Sequence, residues 1–399
     1  MTLQTIPSFG VGDAKAFRSA IIEASRNGSA AIGDEFGEVF VLAHEAVRLG
    51  LTDRRLTGVG LSFFDASGVP ECELRDWYGR IMFTNEGKAH HRLRRLVGKA
   101  FTPKAFASLR EEVAVFAQDR LEALREKGGG DLLYHLRDLP MQVMCSLLGV
   151  PKRDVGKFFE WVTDLSPVFG FMTPKQINMA SAALHSLREY VAEMVEGRAT
   201  CPSEDLISCL IQAEDEGDRL SRQETVDMVT NLLIAGQDTT LSQIGCSLYV
   251  LFKYAGGEQL SHNSEEKLSS IVDETIRMEG SIAAAPRTAL EPFEVDGQVF
   301  DVGTIVMLTT YTANRDTAVW TEPDAFRPDR FLDAKTPKMM TFGGGAHFCL
   351  GAWLARLTLE EALRAVIAAK PRLVGDADDL EWMSATGANP VSIPVGFVE

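Results

Sequence analysis

From about residue 100 to 280 the chain runs with few turn signals while its apolar residues return at helical spacing, as in "EEVAVFAQDRLEALREK" and "LHSLREYVAEMVEG". So long a stretch with a 3.6-residue rhythm dictates helices that bury their apolar stripes, because strands would demand a period of two. At residue 292 the texture changes to "PFEVDGQVFDVGTIVML", where Asp296-Gly297 stands between short β-rich runs as a hairpin turn would. After Cys349, "LGAWLARLTLEEALRAVIAA" is helical again up to Pro371, and the closing "VSIPVGFV" reads as a strand. The expected fold class is mainly α with small β-sheets, the β part lying late in the chain.

A chain of 399 residues that is 45% hydrophobic can bury a large core. No Ser/Gly tract, Pro-rich spacer, charge block or fixed-period repeat divides it, so one domain over 1–399 is expected. "MTLQTIPSFGVGDAKAF" lacks the basic and apolar blocks of a leader, and no uninterrupted apolar run reaches about 18 residues. A soluble, cytoplasmic monomer follows as the expectation. The six cysteines form no CxxC pair and the seven histidines no HExxH, which argues against a disulfide framework, a zinc ribbon, a four-cysteine cluster and the commonest zinc hydrolases. A net charge of −16 argues against broad binding to nucleic acid or anionic membranes.

Residues 341–351 read "TFGGGAHFCLG", with an amphipathic run directly behind. A thiol just ahead of a helix lies near unpaired N–H groups and the positive end of the dipole, which favours thiolate. Three glycines let the backbone turn tightly and approach a flat ligand without Cβ collisions. Three plainer readings compete. A phosphate cradle needs G-K-[ST] or GxGxxG, and neither is present. A Cys349/His347 nucleophile pair would be unusual, since such partners come from distant segments. A buried structural thiol is the ordinary state of a single cysteine.

Phe342, Gly343, Gly345, His347, Cys349 and Gly351 together resemble the haem-binding loop of the cytochrome P-450 superfamily, the haem-thiolate monooxygenases. The resemblance implies Cys349 as axial ligand to the iron of haem b, with Phe342 and Gly343 in the cofactor loop. "LLIAGQDTTLSQ" lies in a helix whose start is marked by an S-x-x-E capping box, Ser221 and Glu224. Gly236 in mid-helix costs about 1 kcal/mol relative to alanine; a close helix contact would explain it, with Asp238 and the threonines on a solvated face. The A-G-x-D-T-T string is similar to the family's oxygen-activating helix, which implies Ala235 and Gly236 at the oxygen groove, Asp238 in proton delivery and Thr239 near bound dioxygen. E-x-x-R occurs six times, from Glu23, Glu45, Glu122, Glu216, Glu274 and Glu361. Glu274 is singled out as the last copy before "PRTA", "ANRD", "FRPDRF" and the cysteine loop, an order resembling the family's, which implies a structural Glu274–Arg277–Arg330 network. "KAHHRLRRLVGKAFTP", 88–103, is similar to the family's H-x-x-x-R helix and implies His90 and Arg94, with Arg287 and His347, as partners of the haem propionates.

Two departures from the family pattern stand out: "TNEGKA" ahead of His90, where many bacterial members carry a proline-containing acidic turn, and Gly280-Ser281, where relatives commonly have prolines. Ala283, Ala284 and Ala285 are expected to overlook the haem and leave a roomy cavity.

The resemblance implies a triangular, mostly helical fold with haem buried between a long central helix and the cysteine loop. It also implies insertion of one oxygen atom from O2 into a C–H bond. No flavin or dinucleotide fingerprint is present, so electrons are expected from a separate ferredoxin and ferredoxin reductase with NAD(P)H as donor. Arg92, Arg95, Lys99, Arg356 and Arg364 are candidates for a basic docking patch. The segments 63–83, 166–174, 281–286 and 384–392 are mostly apolar, which favours a lipophilic substrate such as a terpenoid, steroid or polyketide. A fatty acid held by Arg75 or Arg80, a peroxide-driven oxygenase, and a haem-based gas sensor or carrier are the alternatives.

Overall fold

The computed structural model describes residues 3–9, 13–101, 109–254, 265–295, 297–383 and 388–397. They fall into two compact units: 1–57, 114–137 and 239–399 in one, and 58–113 with 138–238 in the other. Each unit is assembled from segments far apart in sequence, so no spacer marks the division, and the linker that usually betrays a boundary is absent.

The first unit is built on a six-stranded sheet in the order Gln4–Ile6, Ala30–Gly33, Val39–Val41, Ile305–Leu308, Ala285–Ala289, Leu56–Thr57. Four of these six strands precede residue 60, whereas the sequence suggested β structure only late in the chain. Strands of two to four residues carry too few positions for a period of two to register. Val306, Met307 and Leu308 pair in parallel with Val39, Phe40 and Val41. Phe40 and Met307 face one cluster with Phe17, Ile21, Ala283, Ala284 and Tyr311; Val39, Val41, Val306 and Leu308 face another with Val47 and Ala313. Alternate side chains serve opposite faces, so both must be apolar and the strands read as unbroken apolar runs.

Phe293–Val295 and Gln298–Phe300 form the expected antiparallel hairpin, with Gly297 at φ +75° where a β-carbon would be strained; Asp296 lies outside the described residues. Pro394–Gly396, the expected closing strand, pairs with Gly129–Asp131 and Arg372–Leu373.

The second unit is mainly helical, with one short hairpin, Glu214–Asp215 and Asp218–Arg219. Its helices include Glu73–Arg80, Gly87–Ala100, Leu139–Leu148, Val155–Leu165 and Pro174–Thr200. The last starts at a capping box in which the Thr173 hydroxyl accepts from Gln176 N–H and the Gln176 carbonyl oxygen accepts from Thr173 N–H. Leu148 gives way to Gly149 at φ +69°, which ends its helix in the left-handed conformation that glycine tolerates. The 33-residue helix Arg222–Tyr254 begins at the expected Ser221/Glu224 box: Ser221 N–H donates to the Glu224 carboxylate at 2.7 Å, and Glu224 N–H donates back to the Ser221 hydroxyl at 3.2 Å. Among the described residues no helix is long and apolar enough to cross a membrane.

Candidate functional site

The long helix is buried from Thr225 to Leu251 on almost every side, with one interruption. Ala235 and Thr239 are exposed, and Gly236, Asp238 and Leu241 are half-buried. Positions 235 and 239 lie one turn apart on one face. Between Thr225 and Leu251, full exposure is thus confined to the A-G-x-D-T stretch.

Each residue of that opening has a distinct environment. A β-carbon at Gly236 would meet the Met144 sulfur at 2.9 Å, so close packing on the helix Leu139–Leu148 is sufficient reason for glycine. The Asp238 carboxyl is pushed above the usual carboxylate range by burial, an effect the Ser166 hydroxyl, hydrogen-bonded to it, partly offsets. Ser166 belongs to a segment that the sequence suggested only as pocket lining; no local signal tied it to Asp238. Thr239 accepts a hydrogen bond at its carbonyl oxygen from the Ser281 hydroxyl at 3.3 Å.

The cysteine loop is held by its own backbone. Gly343 N–H donates to Met340 C=O, Phe348 N–H to Gly345 C=O and Cys349 N–H to Phe342 C=O at 2.9 Å. Gly343 and Gly345 have φ of +71° and +62°, and a β-carbon at Gly345 would lie 2.6 Å from the Leu51 carbonyl oxygen. Glycine is therefore required twice, once for conformation and once also for space. The loop ends at Gly351, which caps the helix Ala352–Ala369. Cys349 and Phe348 are exposed, His347 is half-buried, and the Phe342 ring lies 4.5 Å beneath the Arg356 guanidinium.

Cys349 offers one sulfur, and among the described residues no group of three or more His, Cys, Asp or Glu could hold a metal. A metal at Cys349 must therefore bring most of its ligands with it, as an iron porphyrin does. An exposed thiol on a glycine-cleared loop ahead of a helix fits that requirement.

Below the loop, Glu274 and Arg277 form the expected ion pair with both side chains fully buried. Arg277 donates through Nε and Nη2 at 2.7 and 2.8 Å, Arg330 Nε adds a third bond at 3.1 Å, and Arg327 N–H a fourth at 2.8 Å. Arg277 also donates to Asn314 C=O, and the Asn314 amide in turn holds Met340 N–H and the Thr341 hydroxyl at 2.7 Å each. The network thus reaches the first residue of the loop.

In the other unit His90 is buried and Arg94 half-buried on Gly87–Ala100, while His91 and Arg95 are exposed. "TNEGKA" makes its own turn without proline: Asn85 Nδ2 donates to the carbonyls of Arg80 and Ile81, and Glu86 accepts from Gly58 N–H at 2.7 Å. Arg287 is half-buried in the strand Ala285–Ala289.

Several expectations are corrected. Ala283 and Ala284 pack in the sheet core with Phe17 and Phe40, so their small size admits neighbouring aromatics rather than a ligand; Ala285 alone of the three is half-buried. The proposed basic patch is largely neutralised. Arg92 pairs with Asp218 and Glu224, Arg356 with Asp273 and Arg364 with Glu361. Arg75 is engaged by Asp65 and Glu71, and Arg80 by Asp227. Of the apolar segments, 63–83 and 166–174 meet through aromatic contacts, Phe63 on Phe171 at 5.2 Å and Phe83 on Phe169 at 5.5 Å, and both Phe83 and Phe171 are exposed. Residues 384–387 lie outside the described residues.

The chain matches the cytochrome P-450 family over residues 61–259 and 266–369. It is 30% identical to 6-deoxyerythronolide B hydroxylase of Saccharopolyspora erythraea, covering 86% of this chain and 85% of that protein. It is 36% identical to the vitamin D(3) 25-hydroxylase of Pseudonocardia autotrophica, covering 77% and 75%. Its fold superposes on the crystal structure of CalO2 with a TM-score of 0.87 at 26% identity, covering 97% and 98% of the two chains. A mainly helical architecture with small sheets, together with these matches, makes the protein a cytochrome P-450 monooxygenase. The chain belongs to the cytochrome P-450 family, and the family implies a haem-thiolate cofactor.

Proposed function

We propose that this protein hydroxylates a lipophilic small molecule of terpenoid, steroid or polyketide type, using haem b held by Cys349 and electrons from a separate ferredoxin and its NAD(P)H-dependent reductase. The observation that carries the reading is the exposed Cys349 thiol ahead of a helix; an accessible A-G-x-D-T face on an otherwise buried helix supports it separately. When bound, the cofactor supplies the activation of dioxygen, one atom going to a C–H bond and the other to water.

The chain's own residues do the rest. Cys349, as thiolate, ligates the iron, with Phe342 and Gly343 shaping the loop behind it. His90, Arg94, Arg287 and His347 serve as hydrogen-bonding or cationic partners of the propionates, guanidinium being well matched to carboxylate. The small side chain of exposed Ala235 leaves room for a diatomic ligand, while Gly236 beside it lets the helix pack on Met144. Asp238 keeps its proton to higher pH than an ordinary carboxyl because burial disfavours its charge, and hands it on through the Thr239 hydroxyl. The exposed aromatic pairs around Phe83 and Phe171 support an apolar substrate. With Arg75 and Arg80 already paired, a fatty-acid carboxylate has less to recommend it.

The test reduces the purified, haem-loaded protein under carbon monoxide, with Cys349→Ser alongside. A thiolate-type spectrum lost in Cys349→Ser, together with coupled NAD(P)H consumption when a ferredoxin system and a lipophile panel are supplied, is the expected result. An unchanged spectrum in the variant would falsify the ligand assignment, and gas binding without turnover of any panel member would favour a sensor.

A further inference from the structure

Gly280-Ser281 departs from the family pattern, and the structure gives each residue something to touch. The segment Glu279–Ser281 follows the helix Glu265–Met278. On one side, Gln243 grips it at both ends of its amide: Nε2 donates to Glu279 C=O at 2.9 Å, and Oε1 accepts from Ser281 N–H at 2.9 Å. The Ser281 hydroxyl then donates to Thr239 C=O, about one helical turn before Gln243. On the other side, a β-carbon at Gly280 would lie 2.8 Å from Thr341 Cγ2, at the start of the cysteine loop. The Thr341 hydroxyl donates to Ile276 C=O at 3.1 Å. Gln243 and Ser281 are buried, and so is Glu279, whose carboxylate is tied down by Arg18, by the Tyr311 hydroxyl at 3.0 Å and by Arg315 at 2.9 Å.

We propose that Ser281 and Gln243 are positioning residues for Thr239, bracing the opened turn of the long helix against a segment that is itself seated beside the cysteine loop. The argument rests on the role given to Thr239 above. Ala235 and Thr239 share an exposed face, and a hydroxyl on the Thr239 carbonyl with a two-ended amide one turn on restrains that turn from outside the helix. Proline at position 281 could offer neither the N–H to Gln243 nor the hydroxyl to Thr239. Backbone hydrogen bonding of the Thr239 turn therefore depends in part on a side chain outside the helix.

The experiment compares the haem-loaded wild type with Ser281→Ala, Gln243→Met, Thr239→Ala and the Ser281→Ala/Thr239→Ala double variant. By hydrogen exchange, amides 240–243 should exchange about threefold faster or more in Ser281→Ala, with 226–230 unchanged. Peroxide released per NAD(P)H, measured with a ferredoxin system and no added substrate, should rise about twofold in Ser281→Ala and Gln243→Met and in Thr239→Ala, while the double variant exceeds neither single one. Gln243→Met decides the matter if Ser281→Ala fails to accumulate. Unchanged exchange, or additive effects in the double variant, would overturn the brace. A wild type that takes up no haem sinks the functional reading; a haem-loaded wild type with an unaffected Ser281→Ala sinks the brace alone.

Discussion

Glu45–Arg48 and Glu274–Arg277 are the same four-residue pattern making the same two-pronged contact, yet they do different things. In the first, Arg48 donates to Glu45 through Nε and Nη2 at 2.7 and 2.6 Å, with both side chains more than half exposed. In the second the distances are 2.7 and 2.8 Å and both side chains are fully buried. Water competes for the exposed pair and salt screens it. The buried pair has lost its water, so each charge depends on the other and on the bonds from Arg330, Arg327 N–H and Asn314 C=O. Burial turns a sequence pattern into a structural one. The remaining copies fill the range between: Glu361–Arg364 has one buried partner, Glu122–Arg125 is exposed, and Arg26 and Arg219 find other acids, Asp324 and Glu214.

The sharpest way to break this contrast is Glu274→Gln, which leaves Arg277 and Arg330 with a neutral partner in a dry site. Breaking a buried pair costs about 3–5 kcal/mol, so chemical denaturation should show most of the stability gone and the soluble yield should collapse. A variant with an unshifted midpoint would mean that the buried pair is no more consequential than the surface one.

Asp238 supplies an intermediate case, an acid shifted by burial whose hydrogen-bond partner is a neutral hydroxyl, Ser166. Its folded-state pKa lies above the ordinary value of 3.8, so the native state holds a proton that the unfolded chain releases as pH rises past that value. The native state binds more protons there, and the stability this group contributes falls as pH climbs through the window between the two values. Asp238→Asn should therefore melt higher than wild type at pH 7, with the difference vanishing below the ordinary carboxyl range, while substrate-coupled turnover drops. Equal melting temperatures at both pH values would remove the burial argument. The smallest effect belongs to Glu45→Gln, where the denaturation midpoint should not move measurably and any difference at low ionic strength should disappear when salt is added.

Much of this was legible in the residues. The Ser221/Glu224 box, the Gly297 turn and the glycine requirement at positions 343 and 345 are local, set by backbone sterics and a few neighbouring atoms, and each appears where the sequence suggested. Singling out Glu274 among six copies required the order of motifs that follow it. Other expectations failed because they concerned partners distant in sequence. Arg92 reads as basic, but its charge is met by Asp218 and Glu224; Ala283 and Ala284 read as space for a ligand, but Phe17 and Phe40 fill it. The four early strands were invisible because each is too short to show a period, and they hold together through pairing with Ile305–Leu308 and Ala285–Ala289.

By itself the sequence determined the helical character of the chain and the local shape of the thiol loop, since these follow from periodicity and from residues adjacent along the backbone; the family was carried by the resemblance of its motifs. Tertiary structure alone decided which carboxylate neutralises which arginine, that Asp238 meets Ser166, and that Ser281 reaches the Thr239 carbonyl. Charge and hydrogen-bonding capacity are written into a residue, but their effect depends on burial and on what the fold brings within about 3 Å.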